Sequence, residues 1–220
     1  MRPREPAHTR GRFISFEGTE GCGKSTQIQR LIQAIERAGQ PVHRVREPGG
    51  TPAGEVVREL LQHAPEGRSL CAEAELLLFA ASRAQLVREV VAPALAAGTH
   101  VVADRFLDST TAYQGDGRGL DADAVAVINA LAVGGNLPDV TVLLDLDWAA
   151  ARQRVRSRGG RPDRMEDEPD TFFQRVRDGF LRLAAAEPDR IAVFDASQDE
   201  AALARAIQLE IGRRCHGIFG

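Results

Sequence analysis

Near its start the chain reads Gly18-Thr-Glu-Gly-Cys-Gly-Lys-Ser25, which places three glycines, an ammonium and a hydroxyl in the spacing GxxxxGK[ST]. Glycines let a backbone curl until successive N–H groups point inward at phosphate oxygens. A helix opening at the loop's end adds the positive end of its dipole. A lysine then reaches the outer phosphates, and a Ser or Thr hydroxyl suits Mg²⁺. The segment therefore reads as a nucleoside-triphosphate site made by Gly18, Thr19, Glu20, Gly21, Cys22, Gly23, Lys24, Ser25 and Thr26, with Ser25 toward the metal. Lys24 is the only lysine of the chain, and the other members of its 28 lysines and arginines are all arginine. Coding bias explains the arginines. It leaves unexplained why the one ammonium sits in the glycine-rich loop, where a compact point charge fits and a planar guanidinium fits poorly.

A phosphate loop needs a strand behind it and a helix ahead. Arg12–Phe16 reads as the strand and Lys24–Ala38 as the helix, stopped by Gly39. Further strands are expected at Val42–Arg46, His100–Ala103, Val140–Leu146 and Ile191–Phe194. Helices are expected near Ala53–Leu61, Ala72–Ala97 with an interruption near Pro93, Asp121–Val133, Trp148–Ser157, Thr171–Ala185 and from Asp199 onward. Strands alternating with helices make βαβ units. The fold class is thus α/β: a P-loop three-layer sandwich, with a five-stranded parallel sheet and helices on both faces. Residues 1–11 are expected to be a loose tail, 12–214 a single domain with a lid about 152–168, and 215–220 a C-terminal end.

Composition narrows the partners. At 220 residues, 43% hydrophobic and 27% charged, the chain has ordinary globular usage and no apolar run long enough to span a membrane. The basic start lacks an apolar stretch behind it, so it is not a secretory signal. Three widely spaced cysteines suit a reducing cytoplasm. A net charge of −3 argues against bulk nucleic-acid binding.

Other residues group around the loop. Asp104-Arg105 closes a buried strand, and ligands of open α/β sheets bind beyond the carboxyl ends of strands. An ordinary strand-end ion pair is the simpler alternative. Phe79 and Arg83 lie four apart on one helix face, where a ring can stack on a base while a guanidinium donates to it. Glu20 is a carboxylate inside a phosphate loop, a costly placement unless it meets Mg²⁺ or a sugar hydroxyl.

Five stretches in order, FEGTEGCGKST (16–26), REPGGT (46–51), FAASRAQLV (79–87), ADRFLDSTTAYQG (103–115) and RGGRPDRMEDE (158–168), make the chain resemble bacterial thymidylate kinases over about residues 12–212. The resemblance implies a cytoplasmic homodimer that phosphorylates dTMP to dTDP with ATP and Mg²⁺. It implies that Arg105 grips the dTMP phosphate and that Asp104 serves the metal and its waters. Pro48 would border the monophosphate and Arg58 would be a second ligand to it, although Arg58 also fits a solvated helix face. Phe79 and Arg83 would hold the base, Ser109, Thr110 and Gln114 would lie near it, and Tyr113 would press against the sugar. Glu47 is read as loop architecture only.

Six arginines fall between residues 152 and 164. An exposed helix face is one explanation and a nucleic-acid patch another, but the acidic stretch that follows weakens the second. The resemblance implies a lid that brings arginines to the transferred phosphoryl group. The phosphate loop here lacks the arginine some relatives place in it, so Arg156, Arg158 and Arg161 become the catalytic candidates beside Lys24, Glu20 and Arg105. Another nucleotide kinase of the same fold is the rival reading. A GTP switch would need an NKxD motif, which a chain with one lysine in its phosphate loop does not contain.

Overall fold

The computed structural model describes residues 10–157, 164, 165 and 167–220. Five parallel strands form one sheet: β1 (Phe13–Glu17), β2 (Val42–Arg46), β3 (His100–Asp104), β4 (Val140–Asp145) and β5 (Ile191–Asp195), in the spatial order β2-β3-β1-β4-β5. Central β1 pairs Phe16 with Asp104 on one side and with Val142 on the other. The ends of β1 and β3, which carry the phosphate loop and Asp104-Arg105, therefore lie side by side. Strand boundaries match the sequence reading to within a residue or two, as expected where hydrogen-bonded ladders fray.

Helices α1 (Lys24–Arg37), α2 (Pro52–Gln62), α3 (Ala72–Leu86), α4 (Ala92–Ala96), α5 (Leu107–Thr110), α6 (Ala122–Val133), α7 (Trp148–Ser157), α8 (Asp170–Ala186) and α9 (Glu200–Arg214) surround the sheet. Strand alternation divides the core. Ile14, Phe16 and Val102 join Ile28, Leu31 and Ile35 of α1 and the aromatic stripe Phe172, Phe173 and Phe180 of α8. Phe13, Val101 and Ala103, one residue out of phase, join Leu86, Val91, Leu95 and Val133. Each fully buried side chain of this size contributes about 1.5–3 kcal/mol.

Two stretches wind wider than an α-helix. The interruption expected near Pro93 is a π-helical turn, Val87–Val91, just ahead of the proline, which cannot donate to a carbonyl four residues back. The second, Thr111–Gly117, follows α5 directly, and the Arg118 amide reaches back five residues to the Tyr113 carbonyl at 2.9 Å. Widened turns of this kind occur often at functional sites. Nothing in the hydrophobic periodicity signals either.

Candidate functional site

The phosphate loop turns where only glycine fits. Gly18 has φ +132°, and an added Cβ would lie 2.5 Å from the Leu144 carbonyl oxygen; Gly21 has φ +78° and would meet the Ala151 carbonyl oxygen at 2.4 Å. Lys24 is 9% exposed and donates to the Gly18 and Thr19 carbonyl oxygens, each at 2.9 Å. The loop borders a cleft of about 970 Å³, which Ser25, Thr26, Asp104, Arg58 and Arg105 also line. Asp104 pairs with Arg44 at 3.5 Å, and Arg58 donates to the Pro48 carbonyl oxygen at 3.0 Å.

Arg105 sits at φ +70°, a left-handed conformation that a residue with a side chain adopts only when its surroundings impose it. They do so here. Its amide donates to the Phe16 carbonyl oxygen at 3.0 Å, and the next amide, of Phe106, donates to Glu17 Oε1 at 2.7 Å. Glu17 Oε2 takes the Ser109 hydroxyl at 2.5 Å, and Ser109 Oγ in turn accepts from Arg105 Nη1 at 3.0 Å. Burial, and then the charge of Asp108, push the Glu17 carboxyl up to about 8. The other Arg105 nitrogen reaches Glu20 Oε1 at 2.6 Å and the Tyr113 hydroxyl at 3.1 Å, while Tyr113 donates to Glu20 Oε2 at 2.8 Å. Burial works to raise the Glu20 carboxyl, but the charges of Arg105 and Lys24 and the Tyr113 hydrogen bond outweigh it and hold Glu20 below its ordinary range. Glu20 is tolerated in the closed glycine-rich loop because Arg105 and Lys24 answer its charge.

A second cavity, of about 440 Å³, opens on the other side of the Glu20–Arg105 pair. Pro48, Phe79, Arg83, Ser109, Thr110, Tyr113 and Gln114 all line it, so nine of the ten residues expected around dTMP share one space, and the tenth, Arg58, lines the phosphate-loop cleft. The widened turn Thr111–Gly117 carries Tyr113 and Gln114 to the wall, and α3 supplies Phe79 and Arg83. Arg83 is nearly sealed at the cavity's edge, 1% exposed. Its Nε and Nη2 donate to Glu47 at 2.9 and 2.6 Å, Nη2 also to Thr110 Oγ1 at 2.8 Å, and Nη1 to Asn129 Oδ1 at 2.9 Å. Burial pushes the Glu47 carboxyl up against the pull of Arg83. Glu47 thus does more than shape its loop: it orients the guanidinium beside the cavity.

Sequence reasoning missed Glu75, Gln62 and Met165. The last two line the same cavity, and Gln62 Oε1 is buried with no hydrogen-bond partner among the described residues. Glu75 is buried at the back, and it accepts from Gln114, Arg118 and Arg164. Its signal was present. Glu75, Phe79 and Arg83 form one stripe at spacing four, and a carboxylate opening the apolar run Leu76-Leu-Leu-Phe79 needs a buried partner.

Of the arginine run, Arg152 pairs with Asp170 at 2.6 Å, Arg154 donates to the Ala196 carbonyl oxygen, and Arg164 pairs with Glu75 at 2.5 Å. Arg156 is exposed on the last turn of α7 and shares a cleft of about 730 Å³ with Glu20 and Arg152. Arg158 and Arg161 lie outside the described residues.

The sequence profile described as thymidylate kinase matches residues 16–207. The chain is 50% identical over 200 residues to a thymidylate kinase of Trichlorobacter lovleyi, covering 89% of this chain and 94% of that one. It is likewise 50% identical over 209 residues to one of Deinococcus radiodurans, covering 94% and 100%. A thymidylate kinase of Geobacter sulfurreducens is 49% identical over 202 residues, 90% of this chain and 94% of the relative. With the phosphate loop, the paired cavities and nearly the whole length in agreement, the chain belongs to the thymidylate kinase family.

Proposed function

We propose that this chain transfers the γ-phosphoryl group of ATP to dTMP, and that the two cavities are the donor and acceptor sites. The observation that carries this reading is the Glu20–Arg105 pair, which lines the phosphate-loop cleft and the smaller cavity alike. A group passing from one site to the other crosses beside Arg105, which is held there by five described hydrogen bonds and by the ring of Tyr113 at 4.9 Å.

Lys24 and the loop amides hold the donor phosphates, and Arg105 and Arg58 hold the acceptor phosphate. A phosphate oxygen of dTMP is already a nucleophile, so no general base is required, and catalysis consists of positioning and charge neutralisation. Ser25 and Asp104 line one cleft and offer hard oxygen donors of the kind Mg²⁺ prefers. When bound, Mg²⁺ neutralises phosphate charge there. Phe79 stacks on the base, Arg83 donates to a base carbonyl, and Tyr113 packs against the sugar. Arg156, Arg158 and Arg161 are the arginines that a closing lid brings to the transferring group. In support, Arg156 shares a cleft with Glu20 and makes no hydrogen bond or ion pair with any described residue.

The reading extends to a homodimer. Val56 of α2, Leu77 of α3 and Val127 and Leu131 of α6 stand 56–74% exposed on helices that pack side by side, an apolar face that a second copy would cover. Three free cysteines suit a reducing, cytoplasmic setting. No helix among the described residues is long and apolar enough to cross a membrane. Turnover measured with ATP and Mg²⁺ against dTMP, dUMP, UMP, CMP and GMP tests the function. Marked preference for dTMP is the expected result, and equal or better turnover of a purine or ribonucleotide would overturn it.

A further inference from the structure

Glu75 has no place in the chemistry described above, yet it is 1% exposed and makes four hydrogen bonds. Its Oε1 accepts from Gln114 Nε2 at 2.8 Å and from Arg118 Nε at 3.2 Å. Its Oε2 accepts from Arg118 Nη2 at 3.2 Å and from Arg164 Nη2 at 2.5 Å. Burial works to raise this carboxyl, and the hydrogen bonds and charge of the arginines, with the bond from Gln114, more than offset it, leaving Glu75 below its ordinary range. It is therefore ionised at neutral pH, and an ionised carboxylate only accepts.

That one-way bonding capacity has a consequence at Gln114. A primary amide has a donating end and an accepting end, and nothing in its shape decides between them. Only the NH₂ end can face Glu75, so the carbonyl Oε1 must face the other way. Gln114 lines the acceptor cavity, and its Oε1 accepts no hydrogen bond from any described residue. On the same cavity, Arg83 presents donors only. The wall thus offers a donor and an acceptor, the complement of a pyrimidine edge carrying a carbonyl oxygen next to a ring N–H. Thymine and uracil have that edge. Cytosine has its reverse, an amino group next to a ring nitrogen lone pair.

We propose that Glu75 is the residue that sets base polarity: by fixing which end of the Gln114 amide faces the cavity, it makes the site accept a ring N–H and refuse a ring lone pair. The proposal rests on the reading of this cavity as the dTMP site. Glu75 touches neither substrate and acts through Gln114 as a positioning residue. In Glu75→Gln the shape is kept, but the two arginines claim the new side chain's oxygen. Its NH₂ then faces Gln114, which must turn over and present its own NH₂ to the cavity.

The test compares kcat/KM for dTMP with that for 5-methyl-dCMP, which keeps the methyl group and reverses the edge. Glu75→Gln is expected to lower the dTMP-to-5-methyl-dCMP ratio at least about tenfold, with the KM for ATP unchanged. A merely structural role would lower both acceptors alike and leave the ratio where it was, and that result would overturn the proposal. Gln114→Met, measured alongside, separates the two layers of the argument. If it lowers the ratio while Glu75→Gln does not, the cavity reading stands and the role of Glu75 fails. An unchanged ratio in Gln114→Met would remove the cavity reading, and the proposal with it.

Discussion

Replacing Arg83 by methionine should unfold much of the enzyme's margin of stability before it says anything about base recognition. Arg83 and Glu47 are 1% and 3% exposed, and their contacts at 2.6 and 2.9 Å have no solvent to take over when one partner goes. Removing one member of a buried ion pair costs about 3–5 kcal/mol, because the other charge stays buried and unanswered. The Thr110 hydroxyl and Asn129 carbonyl oxygen also lose a donor. Against a total stability of about 5–15 kcal/mol this is a large fraction. In melting temperature it amounts to about 6–20 °C for a domain of this size. Much of the loss should return in the double variant Arg83→Met/Glu47→Gln, which leaves no buried charge. The deficit of the single variant should also shrink as pH falls, since an unpaired buried carboxyl titrates high, and its protonated form suits the fold. Trp148, the only tryptophan, is buried in a stack on Phe173 with ring centroids 3.8 Å apart, so its fluorescence reports unfolding in urea. A single variant that loses less than about 1 kcal/mol, or a double variant no better than the single, would refute the assignment of this energy to an orphaned carboxylate. Binding is the second readout. In protein that remains folded, dTMP should weaken by about 1.5–3 kcal/mol while ATP is unmoved, the loss expected for one charge-assisted hydrogen bond.

Lys24→Ala should lose most phosphoryl transfer with its fold intact, and Lys24→Arg should be nearly as poor because the fork does not fit the cradle; near-normal turnover by the alanine variant would remove Lys24 from the site. At least one of Arg156→Ala, Arg158→Ala and Arg161→Ala should lower kcat about tenfold or more in single-turnover measurements while the Kd for ATP moves little. Normal turnover by all three would send the search for the catalytic cation to Arg105, Arg152 and Arg164. The Glu17 carboxyl, raised from 4.5 to about 8 in the fold, contributes stability that is full at low pH and is lost as pH rises through that window. Glu17→Gln should therefore flatten the fall in melting temperature between about pH 5 and pH 8, and an unchanged slope would show that Glu17 is ionised in the folded chain.

What the sequence made legible followed from short-range rules. Short β-rich apolar runs and glycine punctuation located the five strands to within a residue or two, since those signals lie within the segment that obeys them. The phosphate loop was legible because its glycines are required by backbone geometry alone. Glu47 and Asn129 were not, because their meaning depends on Arg83, 36 and 46 residues away, while Glu75 carried a local signal but partners 39 to 89 residues distant. The widened turn Thr111–Gly117 escaped for a related reason. Its hydrogen bonds shift by one residue without any change in composition, and Tyr113 packs there against Phe172 and Phe180, partners far along the chain.

Because arginine stands wherever another lysine could, the whole protein exposes its ε-amine chemistry at one point, the Lys24 ammonium held against the carbonyls of its own loop. Acetyl transfer, carbamylation or any acylating reagent that would decorate an ordinary surface at many lysines finds here a single side-chain target, 9% exposed. Modification of that amine removes the one positive charge the loop supplies from a side chain, so on the proposed function covalent labelling and loss of phosphate binding become the same event. Mass spectrometry of an amine-labelled sample would then read occupancy of the nucleotide cleft as one side-chain adduct or none.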